Sequence, residues 1–492
     1  MAAPAADPSV QAARRRGLAL FVIVIGVLIA AVDTTIVILA LPAMRQSLHV
    51  GLGSVVWVVL GYLLTITVLA TQVGRLGDLF GRVRMYEAGF ALFIVGSALC
   101  ALSWNQGSIV AFRLLQGVGG ALISANSGAV IADIFPPHER GRAYGYTSIG
   151  WNLGAVLGIL AGGLLVTLLS WRWIFWINVP IGAVALALAF YALDARAEHR
   201  ARRLDALGMA LMAGGLVAIL WATVRLTSHP LDGSVAASLA AGVVLLAAFA
   251  LYQARTADPM VDLSLFRVPT LAPSFLASLF QGLANFAVLF LVTMYLQGVR
   301  ALTPLDAALL LVPGYLVGSV IGPLSGHLAD RAGPIVPATV GLGIQAVALI
   351  LYAHLGLRTP LWTVSAIAMV NGLGSGGFFP ANNAAVMKAA PPRMFGVASG
   401  MLRTFQNVGM IFSFAVALLV AASALSRQLA FAIYAGDAAL TAAGGRAFLH
   451  GIHMAFYASV AFLVVAGVLS AARGRPSGSA VTAPAAHRGA PG

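Results

Sequence analysis

The sequence predicts an all-α membrane protein of fourteen transmembrane helices, arranged as two six-helix halves with two additional helices between them. Composition is the first reason. Hydrophobic residues make up 60% of the 492 positions and charged residues 9%, too little charge to build a water-facing surface. Internal duplication is the second. The run Gly74-Arg75-Leu76-Gly77-Asp78-Leu79-Phe80-Gly81 returns 252 residues later as Gly326-His327-Leu328-Ala329-Asp330-Arg331-Ala332-Gly333, each copy closing a long apolar segment. Pro136, Pro137, Gly141, Ala143, Asn152 and Gly154 likewise match Pro391, Pro392, Gly396, Ala398, Asn407 and Gly409 at a constant offset of 255. A duplicated apolar chain is the arrangement of secondary transporters whose site lies between related halves.

A helix needs about 20 apolar residues to cross the hydrocarbon core. Such stretches begin near Leu18, Ser54, Met85, Ser108, Ala143 and Trp173, then Asp205 and Val235, then Ala272, Asp306, Ile335, Leu361, Gly396 and His450. Residues 1–16 form an N-terminal tail, 17–196 the first six-helix half, 197–256 the two extra helices, 257–472 the second half and 473–492 a Pro/Gly/Ser/Ala-rich tail too poor in large apolar residues to order itself. The first segment, Leu18 to Leu41, follows Arg14 to Arg16 but is too long for a secretory signal.

The net charge of +14 is sorted by membrane side rather than gathered in one patch, which argues for sidedness and against nucleic acid. With Arg14, Arg15 and Arg16 cytoplasmic, basic residues concentrate in the inner loops and both termini face the cytoplasm of an inner-membrane protein. Two parallel halves, each of even helix number, demand the same. Cys100 is the single cysteine, which excludes an intramolecular disulfide or a cysteine metal cluster. No cofactor is expected. Lys388 is the sole lysine and no Gly-x-x-x-x-Gly-Lys loop precedes it, so the common ATPase chemistry is absent. There is no His-Glu-x-x-His pair and no Gly-x-Ser-x-Gly elbow. The chain is therefore not read as an enzyme, and an ion gradient is the remaining energy source. One proton crossing about 100 mV releases about 2.3 kcal/mol, equivalent to roughly a 40-fold gradient of a neutral solute.

Coupling to protons requires a group that changes charge inside the membrane. Asp33 is the deepest acid. It lies eight residues before Leu41, and Arg113 lies about five beyond the start of its own span. Both are thus on the order of 10 Å deep at 1.5 Å per residue, which places them in one layer as a proton-coupling pair or as a permanent structural ion pair. Arg403 is the third embedded charge and either binds an anionic group or snorkels toward headgroups. Gating falls to the repeated loop and its surroundings: Gly74, Asp78, Gly81, Arg82, Asp133, Arg142 and Asp330, a set able to form a salt-bridge latch that breaks when the cytoplasmic side opens. Lys388 is the repeat counterpart of Asp133, with reversed charge. Gly154, Gly158, Gly162 and Gly163 form a small-residue ridge suited to close helix packing or to a pivot between halves. Asn126, Asn152, Gln281, Asn285, Asn382 and Asn407 join Arg403 as candidate substrate-binding residues; they and the further amides Gln116 and Asn383 either line a cavity or bond helices to one another.

Together these motifs resemble the major facilitator superfamily, in particular its fourteen-span drug:proton antiporters, over nearly the whole chain. Asp33-Thr34-Thr35-Ile36-Val37 leading to Ala40-Leu41-Pro42 looks like the first-span motif, with Ile38 where asparagine is usual. Gly74 to Arg84 looks like the loop motif between spans two and three. Arg113-Leu114-Leu115-Gln116-Gly117-Val118-Gly119-Gly120-Ala121 is similar to the fourth-span motif. In the fifth-span antiporter motif, Ile159 stands where proline is usual. The resemblance implies a major facilitator-type fold, proton coupling through Asp33 and Arg113, and export of small amphipathic compounds or drugs. Export of a single endogenous metabolite, lipid or siderophore is the alternative, and a non-transporting receptor is a more distant one. A monomer in contact with lipid is expected, with a periplasmic adaptor and outer-membrane channel as possible partners through the outer loop Leu425 to Leu449.

Overall fold

The structure is a computed structural model that describes residues 8–50, 52–55, 57–193, 205–226, 232–256, 259, 261, 263–300, 302–424 and 442–473. Residues 1–7 and 474–492 of the terminal tails, and most of the outer loop proposed for an adaptor, lie outside the described residues. The described residues are almost entirely helical: α1 (Pro8–Leu48), α2 (Leu52–Val55), α3 (Trp57–Phe80), α4 (Arg82–Ala101), α5 (Gln106–Ile134), α6 (Arg140–Leu168), α7 (Trp173–Trp176), α8 (Asn178–Ala192), α9 (Ala206–Leu226), α10 (Gly233–Arg255), α11 (Leu271–Met294), α12 (Pro304–Ala332), α13 (Ile335–Tyr352), α14 (Leu361–Ala389), α15 (Phe395–Ala424) and α16 (Ala442–Ala471). Helices satisfy every backbone group internally, the requirement for crossing lipid.

Each of the fourteen apolar segments falls on one of these helices, the sixth on the broken pair α7 and α8. Among the described residues ten helices are long and apolar enough to cross a membrane, or eleven if the bent α3 counts as one span. Helix α14 is not among the ten; it carries Asn371, Asn382, Asn383 and Lys388 and packs within the protein against α12 and α13. The first helix starts at Pro8, so it reaches into the segment expected to be a tail.

The duplication governs the packing. Helix α3 runs along α15, and its repeat counterpart α12 runs along α6, which is itself the counterpart of α15. These two seams join the halves. Within the halves, α1 on α6 is matched by α11 on α15, and α3 on α5 by α12 on α14. The extra helices α9 and α10 pair with each other, and α9 leans on both α3 and α15. Buried Asp205 ties this hairpin down, accepting from Gly208 N at 2.7 Å and from Gln253 Nε2 at 2.6 Å. Asp232 caps α10, and the Ser234 hydroxyl and Val235 N–H that bond its carboxylate hold its pKa below the ordinary value.

Glycine sets how closely the halves approach. A Cβ on Gly74 would overlap the carbonyl of Gly396, and one on Gly326 would overlap the carbonyl of Gly141. Each repeated loop ends in a glycine of left-handed conformation, Gly81 at φ 97° and Gly333 at φ 90°, where an L side chain would be strained. The ridge of Gly154 and Gly158 turns out to lie inside the first half: it seats α6 on the backbone of α1 at Leu28 and Val32. It is not a pivot between halves.

Candidate functional site

Asp33 and Arg113 meet in the interior of the first half. Arg113 Nη1 donates to Asp33 Oδ2 at 2.7 Å, and both side chains are fully buried. Gln116 Nε2 at 2.8 Å and Asn178 Nδ2 at 3.1 Å donate to Asp33 Oδ1. Arg113 also donates from Nε to Val58 O at 2.8 Å and from Nη1 to Gln116 Oε1 at 2.7 Å, and its guanidinium stacks 4.2 Å from the Tyr62 ring centroid. Gln116 further reaches Ser97 Oγ at 2.8 Å. A buried charge is tolerable when paired and hydrogen-bonded, and here the carboxylate on α1 is supported from two other helices, α5 through Arg113 and Gln116 and α8 through Asn178. Asn178, Ser97 and Tyr62 were not expected from sequence; Asn178 opens α8 just after the α7–α8 break.

At the end of the molecule carrying the repeated loops, two latches cross between the halves. Asp78 of the first half accepts from Gly396 N at 3.1 Å and Val397 N at 3.2 Å, the first turn of α15. Asp330 of the second half accepts from Gly141 N at 2.9 Å and Arg142 N at 2.8 Å, the first turn of α6. A carboxylate at a helix N-terminus meets free N–H groups and the positive end of the helix dipole. Arg82 joins the first latch through Asp78 at 2.7 Å, through Asp133, and through Pro392 O at 2.9 Å. In the second latch Pro334 stands where Arg82 stands in the first, and the cation comes from Lys388, 2.9 Å from Asp330. The charge reversal at position 388 is thereby explained. Arg142 contributes its backbone N–H rather than its charge, and its guanidinium lies beside Tyr146, 3.3 Å from the hydroxyl.

Between the halves lies a cavity of about 190 Å³, walled by α1, α6, α11, α12, α14 and α15, with Tyr352 contributed by α13. Asn152, Gln281, Asn285 and Arg403 line it, as the sequence suggested. Thr34 and Thr35, next to Asp33, line it too, whereas Asp33 itself does not. Three candidate residues lie elsewhere. Asn126 is buried in the first half, donating to Leu122 O and sitting against Gly77. Asn382 is buried between α14 and α11, where it donates to Ser278 Oγ at 2.8 Å and accepts from Arg473. Asn407 is half-buried beside Gln406 and does not reach the cavity. Residues that sequence reasoning did not select but the cavity includes are Trp151, Tyr315, Asn371, Phe379 and Gln406, while Asn383, read as cavity-lining or helix-bonding, lines it. Arg403 faces this cavity rather than the headgroups.

The comparisons agree with this architecture. The sequence profile of the Major Facilitator Superfamily matches residues 23–414. The chain belongs to that superfamily, whose members are transporters rather than enzymes. The tetracenomycin C resistance and export protein of Streptomyces glaucescens is 34% identical over 399 residues, covering 79% of this chain and 73% of that one. The riboflavin transporter RibZ of Clostridioides difficile (strain 630) is 27% identical over 419 residues, covering 85% of this chain and 90% of that one. Among solved structures, the proton:xylose symporter XylE aligns with a TM-score of 0.66 at 13% identity, covering 93% of this chain and 95% of that one. That likeness is one of fold.

Proposed function

We propose that this transporter is a fourteen-span, proton-coupled antiporter that exports small amphipathic compounds across the inner membrane by alternating access, with both termini in the cytoplasm. One observation carries the reading: the fully buried Asp33 of the Asp33–Arg113 pair immediately precedes Thr34 and Thr35, which wall the central cavity. Protonation of Asp33 would release Arg113 from its carboxylate partner and repack α1 at the turn that meets substrate. The latches close the loop face, cytoplasmic by its basic loops, and their opening exposes the cavity to the cell interior. Similarity to an export and resistance protein supports the direction, and Asp33, Arg113 and the latch residues are the machinery assigned.

The test is Asp33→Asn in proteoliposomes with an imposed proton gradient. Coupled efflux is expected to vanish while the protein remains folded and monodisperse. Efflux equal to that of the parent would overturn the assignment. A second reading, export of one endogenous metabolite, draws on the amide-lined cavity and on the similarity to a riboflavin transporter; narrow competition by a single compound class in the same vesicles would favour it.

A further inference from the structure

We propose that the compounds carried are organic acids, an ionised carboxylate or phenolate on an aromatic body, seated on Arg403; this deepens the export reading and rests on it. No aspartate or glutamate is among the described residues lining the cavity, and Arg403 is the charged side chain on its wall. Arg403 donates from Nη1 to Gln406 Oε1 at 3.1 Å. Its other guanidinium N–H groups have no partner among the described residues, which leaves a planar fork suited to two parallel bonds to a carboxylate. Gln406, with its oxygen engaged by Arg403, has its amide N–H groups available to the same anion.

Opposite chemistry is provided elsewhere on the wall. Asn371 Oδ1 is buried without a hydrogen-bond partner, an acceptor that a ligand hydroxyl or amide N–H would satisfy. Trp151 and Phe379 supply apolar aromatic surface. The carboxylate nearest in sequence, Asp33, is committed at both oxygens to Arg113, Gln116 and Asn178 and does not reach the cavity, so a cationic ligand would meet Arg403 with nothing to offset the repulsion. An anion instead neutralises a guanidinium half-buried in the cavity wall, where an unpaired charge is costly.

Exchanging one inward proton for one outward monoanion moves two positive charges inward per cycle, whereas exchange for a monocation moves none. The experiment uses proteoliposomes of the full chain and three matched probes: naphthalene carboxylate, naphthalene carboxamide and naphthylmethylammonium. Binding is read by tryptophan quenching, and flux is read with a pH dye under potassium–valinomycin potentials. The carboxylate is expected to bind and move at least tenfold better than the other two, with flux accelerated by an inside-negative potential. Arg403→Gln should erase the preference and Arg403→Lys should keep part of it, each variant checked for monodispersity. Preference for the ammonium or the carboxamide, no binding of the carboxylate, or an unchanged preference in Arg403→Gln would overturn the inference. Carboxylate flux that depends on Arg403 but moves no protons, or moves with them in one direction, upholds the anionic class and instead overturns proton-driven export.

Discussion

At the scale of single residues, the buried pair separates charge from packing. Removing one partner of such a pair leaves an uncompensated charge and costs about 3–5 kcal/mol. Asp33→Ala should therefore lower the melting temperature well below that of Asp33→Asn, whose amide still accepts hydrogen bonds from Gln116 and Asn178. Equal melting temperatures would show that Gln116 and Asn178 find other acceptors. Arg113→Lys should lose at least tenfold in coupled transport, because an ammonium cannot at once bond Val58 O, Asp33 and Gln116 and stack on Tyr62. Tyr62 makes the contrasting prediction. Its hydroxyl is buried without a partner, so Tyr62→Phe removes an unmet polar group worth about 1–3 kcal/mol of desolvation. The melting temperature should hold or rise; a fall of several degrees would reveal a hydrogen bond formed in another state.

At the scale of helices, the second latch is a rewired copy of the first. Lys388→Asp alone would set a carboxylate against Asp330 and should weaken closure. Adding Pro334→Arg places a guanidinium four residues after Asp330, as Arg82 follows Asp78, and should restore transport. Failure of the double variant to recover would mean that Lys388 acts through its bond to Ala329 O instead of through charge. The sequence could reveal these latches because a duplicated loop fixes which residues are equivalent, and it could reveal Asp33 and Arg113 because charge in a span is rare and costly. The amides were less readable. Helices apolar on every face carry no periodic signal for which side looks onto a cavity, so Asn152 and Gln281, which line it, read like Asn126 and Asn382, which bond neighbouring helices. Ser97 and Asn178 were hidden for the same reason: their role is set by what lies across from them. The Gly154–Gly158 ridge was legible as close packing, but its partner, the helix bearing Asp33, was not. Because a Cβ at Gly158 would press on Thr35 and Val32, Gly158→Leu should displace α1 and abolish transport even where the protein still reaches the membrane.

At the scale of the whole molecule, the pseudo-two-fold arrangement makes closure of the loop face a sum of two similar contributions. Each latch sets a carboxylate on two backbone N–H groups of the opposite half, and each is backed by a glycine pair that admits carbonyl against Cα. Hydrogen bonds to a charged group contribute about 1.5–3 kcal/mol when buried and less at a wet rim. The latches occupy opposite sides of the interface and share no residue, so their losses should add. Asp78→Ala and Asp330→Ala are each expected to shift the closed-to-open ratio by roughly 5- to 30-fold, and the double variant by about the product. The measurement is labelling of a reporter cysteine in the cavity, Thr147→Cys, from the loop side of inside-out vesicles. Cys100 is buried and can be replaced by serine to remove background. Labelling should rise in each single variant and rise further in the double, while maximal transport rate falls more than affinity. Labelling that saturates with one substitution would show that the two latches open as a single unit, and a loss confined to affinity would remove them from the gate.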